Sequence, residues 1–309
     1  MSGIGIITNP HSKLNKRNPN RPALLGFILG SQGQLEVTNS LDDLERVAKE
    51  FKSKAISILA INGGDGTVSR TLTAFLKAYG SDPLPKIALL RGGTINVVAN
   101  NLGIRGTPEQ VLFRLVEWHS RGQAIPLRRL RLISVDGMYG FLFGNGMAAA
   151  FLNEYYKRKS GPLGAALLVV AVWFSSLFKG RMFEKIVRDQ KQKLKPAGSP
   201  EIDQTACAVF SSTVAKLPLG VPLFHLLADH PDEFQTVAFT TPAKDGWQLP
   251  FVLMRRQGGP SRDKISFCCK VLSIEMREPF DYTLDGELFT ATNGKLTVEV
   301  GPQLEFVVI

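Results

Sequence analysis

Cysteine is scarce in this chain: three of 309 residues, Cys207, Cys268 and Cys269, an odd number with no C-x-x-C spacing. No disulfide framework and no paired-cysteine zinc or redox motif is expected, and a reducing, cytoplasmic compartment fits best. Histidine is nearly as rare, with His11, His119, His225 and His230 showing no H-E-x-x-H or other ligand spacing, so solvated or core histidines are expected ahead of a metal site. No Ser-His-Asp order and no G-x-S-x-G occurs, which leaves a hydrolase little support. Walker-A spacing and G-x-G-x-x-G are also absent. The opening Met-Ser-Gly-Ile-Gly-Ile-Ile runs straight into strand-like sequence, without the charged region, apolar stretch and cleavage site of a signal peptide.

Acidic residues are outnumbered, 27 Asp and Glu against 37 Lys and Arg, and the net charge of +10 seeks phosphate on nucleic acid, nucleotide or anionic lipid. Between Glu154 and Lys195 ten bases stand against three acids. That segment lacks the interleaved aromatics of a nucleic-acid stacking platform. It surrounds the eighteen uncharged residues Gly161 to Phe178, which touch the lower limit of a bilayer span. Glycines, a proline and serines shorten the usable apolar core, so a span, an interfacial or pocket-lining helix and plain core all stay open.

What is present describes a folded chain. At 44% hydrophobic and 21% charged, a sizeable core can be buried, and disorder and collagen-like repetition are excluded. The length favours two domains. Through residue 123 short apolar runs alternate with helical periodicity, as βαβ layers do. Gly3 to Thr8 reads as a strand, Ser40 with Asp43 as a helix cap followed by the face Leu41, Leu44, Val47, Ala48 and Phe51, and Ala55 to Ile61 as a strand buried on both faces. Val68, Leu72, Phe75, Leu76 and Tyr79 mark the next helix. A strand at Ile87 to Leu90 precedes a helix through Leu102, and Thr107-Pro108-Glu109-Gln110 caps another helix. From Ala124 the period becomes two: Ile125 to Val135 and Met138 to Phe143 flank the hairpin dipeptide Asp136-Gly137. Further strands are expected at Cys207 to Ser211, Val237 to Thr241, Phe251 to Met254, Ile265 to Ile274 and Leu296 to Val300. A first domain over 1–123 and a β-rich second domain over 124–309, whose last residues can pack back on the first, follow from this reading.

Two glycine turns carry the chemistry. Gly63-Gly64-Asp65-Gly66-Thr67 ends a strand and feeds a helix, which suits polyphosphate: glycines admit phosphate oxygens to backbone N–H groups, the helix N-terminus adds positive potential, and the Asp can hold Mg²⁺. Gly92-Gly93-Thr94-Ile95-Asn96 follows the next strand, and successive βα turns of a parallel sheet open on the same edge.

Asn9-Pro10, Thr38, GGDGT at 63–67, GGTIN at 92–96, FGNGMAA at 143–149 and LDGE at 284–287 resemble, in order and spacing, the catalytic family of diacylglycerol kinases and related bacterial, sphingosine and ceramide lipid kinases. GGDG recurs in the wider NAD kinase and phosphofructokinase group; the combination favours a lipid kinase. The resemblance implies an N-terminal three-layer α/β domain binding ATP, a C-terminal β-sandwich domain presenting the lipid, and a cleft between them. It places Asn9, Thr38, Gly63, Gly64, Asp65, Gly66, Thr67, Gly93, Thr94 and Asn96 at the nucleotide, Asp65 on the catalytic Mg²⁺, Glu287 as the general base for the lipid hydroxyl, and Asp285 as a second carboxylate holding metal or orienting the site. For LDGE, a hairpin turn is the competing reading.

The sequence also departs from the family pattern. Lys13 stands where Gly is usual after Asn-Pro-x-Ser, Arg91 replaces a Pro, and Val97 an acidic residue. Arg91 can add a phosphate contact or point to solvent. The family's structural Mg²⁺ loop leaves only Asp229 and Asp232 as candidates. The expected protein is an ATP-dependent lipid kinase, cytoplasmic and peripherally bound to an anionic membrane surface, with a lipid substrate, no nucleic-acid partner and a homodimer compatible with the sequence. A soluble NAD kinase-like enzyme or sugar kinase, and a catalytically reduced lipid-binding protein, are the alternatives.

Overall fold

A computed structural model describes residues 3–157, 181–241, 245 and 263–309. The uncharged run at 161–178, the bases Arg158, Lys159 and Lys179, and the strand expected at 251–254 lie outside the described residues. The chain forms two compact units, Met1–Arg131 with Pro302–Ile309, and Leu132–Gly301.

The first unit is built on a parallel sheet. Strands β1 (Ile4–Thr8), β2 (Gly33–Val37), β3 (Ile58–Asn62) and β4 (Lys86–Leu89) lie in the order β2-β1-β3-β4, and Phe306 near the C-terminus pairs in parallel with Ile87. Every residue of β1 and β3 is buried, as strands covered on both faces require. Around them stand α1 (Lys13–Lys16), α2 (Arg21–Leu29), α3 (Leu41–Ser53), α4 (Asp65–Tyr79), α5 (Val97–Asn101) and α6 (Pro108–Ser120).

The caps form where the sequence puts them. Ser40 and Asp43 exchange hydrogen bonds at the start of α3, and Thr107 and Gln110 do so at the start of α6. Leu44, Val47, Ala48 and Phe51 are buried, whereas Leu41, in the first turn of α3, is 54% exposed. Phe51 meets the Phe75 ring edge-on at 6.3 Å. A Cβ on Gly5 would stand 2.5 Å from the Phe51 ring, so this strand position has to be glycine. The expected strand from Ala55 begins three residues later, at Ile58, since Ala55 takes a left-handed φ of 49° after α3.

The second unit is antiparallel. One sheet runs β12 (Lys264–Cys269), β11 (Phe234–Phe239), β10 (Ala208–Ser212), β7 (Leu142–Asn145), β14 (Phe280–Leu284), β15 (Glu287–Ala291). The other joins β9 (Ile202–Ala206), β8 (Gln190–Pro196), β13 (Val271–Met276) and the first part of β16 (Lys295–Val307). Val209, Phe234, Tyr282 and Leu284 of the first sheet share a core with Leu194, Leu272, Ile274 and Val298 of the second, which makes a β-sandwich. On the outer face of the six-stranded sheet, Phe183, Ile186, Leu223 and Phe224 cover Ala208, Val237 and Phe239, and the helix α7 (Met147–Lys157) adds Met147, Ala150 and Phe151.

Two expected strands are each divided between sheets. Ile265 to Ile274 is β12 and β13, with exposed Lys270 at the crossing. The hairpin at Asp136-Gly137 joins β5 (Leu127–Val135) to β6 (Met138–Gly140) with φ of 49° and 74°, a type I′ turn. Its second strand stops at Phe141 and resumes in the other sheet as β7.

Candidate active site

All four motif segments of the first unit stand at the C-terminal edge of its parallel sheet. Thr38 follows β2, Asn9 follows β1, the 63–67 turn follows β3, and the 92–96 turn follows Leu90 beyond β4. Backbone bonds tie this row together: Thr38 N–H donates to Thr8 (3.0 Å), Asn9 N–H to Asn62 (3.1 Å) and Leu90 N–H to Ile61 (2.9 Å). Parallel pairing therefore converts motifs far apart in sequence into one ledge.

The two glycine turns touch through backbone. A Cβ on Gly64 would lie 3.3 Å from the Gly93 Cα, and one on Gly93 would collide with the Gly64 Cα. Gly63 and Gly92 are equally enclosed, the first by Thr67 and the second by the Asn62 side chain. Gly64 is the N-cap of α4 and supplies no side-chain bond, so the helix presents its first-turn N–H groups outward.

Asp65 heads α4. Its Oδ1 accepts from Val98 N–H at 3.3 Å. Burial pushes its carboxyl above the usual range, opposed by bonds from the backbone N–H groups of Val97, Val98 and Asn96. The carboxylate thus sits at the N-terminus of α5, facing the backbone N–H groups of Val97 and Val98.

Other sequence-selected residues brace the ledge. Asn9 Nδ2 donates to Thr67 Oγ1 (2.9 Å) while Asn9 Oδ1 accepts from His11 N–H (2.8 Å). Asn96, left-handed at φ 50°, accepts from Gly93 N–H (3.2 Å) and donates to the Gly93 carbonyl (3.0 Å). Thr94 is half-buried and Thr38 is 5% exposed. Arg91, half-buried and left-handed at φ 60°, donates from Nη1 to the Ile104 carbonyl and lines the same hollow as Gly63, Gly64 and Asp65, so it does not simply point to solvent. Two residues were missed. Asn15 Nδ2 donates to the carbonyls of Asn9 (2.7 Å) and Asn62 (3.3 Å), and the buried Asn62 Oδ1 has no hydrogen-bond partner among the described residues. Only the place of Asn62, immediately before the glycines, signalled it.

In the second unit, Asp285-Gly286 is a two-residue turn between β14 and β15, with Leu284 opposite Glu287 and φ of 48° and 86°. The hairpin reading of LDGE is correct as geometry, and it leaves room for chemistry at its ends. Both Asp285 oxygens accept from Phe141 N–H at 3.1 Å, and Oδ1 also accepts from Leu142 N–H at 2.9 Å. The Asp285 N–H returns a bond to the Leu142 carbonyl (2.9 Å). This is what ends β6 and starts β7. Glu287 is half-buried at the head of β15, and the Tyr156 hydroxyl of α7 donates to the neighbouring Gly286 carbonyl. In FGNGMAA, Asn145 is a joint: it donates to Gln192 (3.0 Å) and accepts from Val209 N–H (2.9 Å).

The donor sets can be tested against Mg²⁺, which favours one or two carboxylates completed by phosphate and water. Asp65 fits by its place beside a ledge of N–H groups, and its bond from Val98 N–H, at 3.3 Å, is longer than the 2.9–3.1 Å bonds that hold Asp285. Asp285, with its oxygens on two backbone amides, fits poorly as a ligand.

Residues 4–125 match the diacylglycerol kinase catalytic domain. The match lies within the first unit and agrees with the resemblance read in the motifs. No curated protein sequence matches the chain. A solved diacylglycerol kinase from Bacillus anthracis str. Sterne is similar over 100% of this chain and 97% of its own, with a TM-score of 0.68 and 14% identity. Another structure from that organism, provisionally assigned as a diacylglycerol kinase, gives 0.72 and 16% over the same shares. These likenesses show the fold, an α/β unit followed by an antiparallel β-sandwich. Among the described residues, no helix is long and apolar enough to cross a membrane.

Proposed function

We propose that the protein is an ATP-dependent lipid kinase, moving the γ-phosphate of ATP to the hydroxyl of a diacylglycerol-like or sphingoid lipid at an anionic membrane surface. One observation carries the nucleotide half: the backbone contact of Gly64 with Gly93 at the edge where Asn9 and Thr38 also stand. A surface so stripped of side chains, headed by the α4 N-terminus, accepts a polyphosphate.

In this reading the N–H groups of 64–67 bind phosphate oxygens, Asn9 fixes Thr67, and Asn96 fixes the facing turn. Asp65 holds Mg²⁺, which when bound neutralises charge developing on the phosphates. Glu287 takes the proton of the lipid hydroxyl as its oxygen bonds to the γ-phosphorus and the bond to the ADP oxygen breaks. Asp285 orients Glu287 by fixing the turn before it.

The membrane half rests on composition, and the described bases weaken it in part. Lys157 and Lys185 pair with Glu154 (3.4 and 2.6 Å), and Lys193 with Glu201 (3.4 Å). Lipid selectivity depends on pocket shape. The test is labelled ATP offered with vesicles carrying diacylglycerol, a sphingoid base or ceramide, and separately with NAD. Label in a lipid supports the proposal; label in NAD alone supports the soluble alternative.

A further inference from the structure

We propose that His230, Glu233 and Cys268 form a binding site for a borderline-soft divalent cation of the zinc kind, clipping the loop before β11 to β12. One nitrogen of the His ring, one carboxylate oxygen and the thiol sulfur lie within 4.8 Å of one another, the one such group among the described residues.

The local fold builds this cluster. Pro231 follows His230, and Glu233 N–H donates to the His230 carbonyl at 3.3 Å, closing a turn that brings the two side chains together. His230 Nδ1 lies 3.0 Å from Glu233 Oε2. Antiparallel pairing sets Gln235 opposite Cys268. Glu233, two residues before Gln235, continues the same face of the sheet and so becomes the diagonal neighbour of Cys268.

The platform is held from both sides. Gln235 donates to Ser266 Oγ (2.7 Å) and accepts from Leu226 N–H (2.8 Å), which pins the preceding loop to the strand pair. Ligands on braced backbone need little reorganisation to close on an ion.

The donor set decides the metal. Imidazole, thiolate and one carboxylate suit Zn²⁺ or Co²⁺, whereas Mg²⁺ requires oxygen donors. Asp229 and Asp232, the candidates for a hard-cation loop, are exposed and do not belong to the converging group. The site therefore differs in chemistry from the Mg²⁺ loop that the family resemblance implies. Cys268 is half-buried, while Cys207 and Cys269 are buried, Cys269 in the sandwich core. With three protein ligands, water completes a tetrahedron, and binding releases the thiol proton to solvent. Histidine and cysteine spacing gave no warning, since Cys268 arrives on another strand.

The experiment titrates the full chain with Co²⁺ and follows thiolate-to-cobalt absorption. The expected result is saturation near one equivalent, loss of the band in Cys268→Ser, at least tenfold weaker binding in Glu233→Gln, and retention of the band in Cys207→Ala. Zn²⁺ should displace Co²⁺ and raise Tm, while millimolar Mg²⁺ should do neither. Should Cys268→Ser fail to fold, Glu233→Gln, half-exposed and of unchanged shape, keeps the test alive. Absence of the band, a band unchanged in both variants, or displacement by Mg²⁺ would overturn the proposal.

Discussion

The Asp285 carboxylate accepts from the Phe141 backbone N–H with both oxygens at 3.1 Å, and by that contact a residue of the LDGE motif holds the place where a strand leaves one sheet for the other. Gly140 is part of the device, since a Cβ there would stand 2.7 Å from Asp285 Oδ2. Removing the acceptor leaves buried amides unpaired. Asp285→Ala should therefore cost about 1–3 kcal/mol of stability, and Asp285→Asn less, because Asn tolerates the left-handed turn. The diagnostic is Mg²⁺: activity lost in Asp285→Asn should stay lost as Mg²⁺ rises. Recovery of kcat in a Mg²⁺ titration would return Asp285 to the metal.

The contact of Gly64 with Gly93 predicts a contrast between two Gly→Ala changes. Gly93→Ala forces backbone apart and should destabilise by about 1–3 kcal/mol while weakening ATP binding. Gly26, inside α2 with open space around it, should accept Ala with a gain of about 0.5–1 kcal/mol. Denaturant midpoints and nucleotide titrations read both. Equal effects at the two sites would remove the argument that the turns meet.

Asp65 carries a pH signature. Its folded carboxyl titrates above the ordinary carboxylate range because burial disfavours the charge. The folded state then holds a proton that the unfolded state has lost, so this group's contribution to stability falls as pH rises from the unfolded value through the folded one. Asp65→Asn should be at least as stable as the parent at neutral pH, with the difference closing toward pH 3.8, and should lose turnover by orders of magnitude. The acid limb of kcat/KM in the parent should lie above the ordinary carboxylate range. Thermal scans against pH check the sign; an Asp65→Asn protein less stable than the parent at pH 7 contradicts it.

Much of the first unit was legible because its signals are local. Ser40 with Asp43, Thr107 with Gln110, and the apolar β1 and β3 each declare their element within a few residues. Strand β2 and helix α2 were not: Gly33–Val37 is a half-exposed edge strand with polar Gln34 and Glu36 on either side of Leu35, and α2 has Pro22 and Gly26 inside it. In the second unit the alternation was visible, but which sheet takes each strand was not, since Phe141 and Lys270 turn the chain through contacts made by distant residues. The glycine ledge was legible as motifs. The commitment of Asp285 to Phe141 was not, because a D-G turn reads the same whether its carboxylate faces solvent, metal or backbone.

The cationic collar predicts a salt-dependent attachment. Each Lys or Arg near an anionic surface contributes about 1 kcal/mol, so reversing Lys157, Arg158 and Lys159 to Glu should weaken sedimentation with anionic vesicles at low salt. Added salt should shrink the difference. Binding indifferent to both would remove the membrane half of the proposal.

The most direct measurement is single-turnover transfer of labelled γ-phosphate from ATP to lipid by the parent and by Glu287→Gln, with ATP affinity measured on the same samples. The carboxamide keeps the shape of the side chain and loses its proton affinity, so lipid phosphate should form about 10² to 10⁴ times more slowly. ATP affinity should stay unchanged, because the nucleotide ledge belongs to the first unit. A Glu287→Gln protein retaining more than about a third of the parent rate with chemistry limiting, or a parent that puts no label into any lipid, would contradict the account.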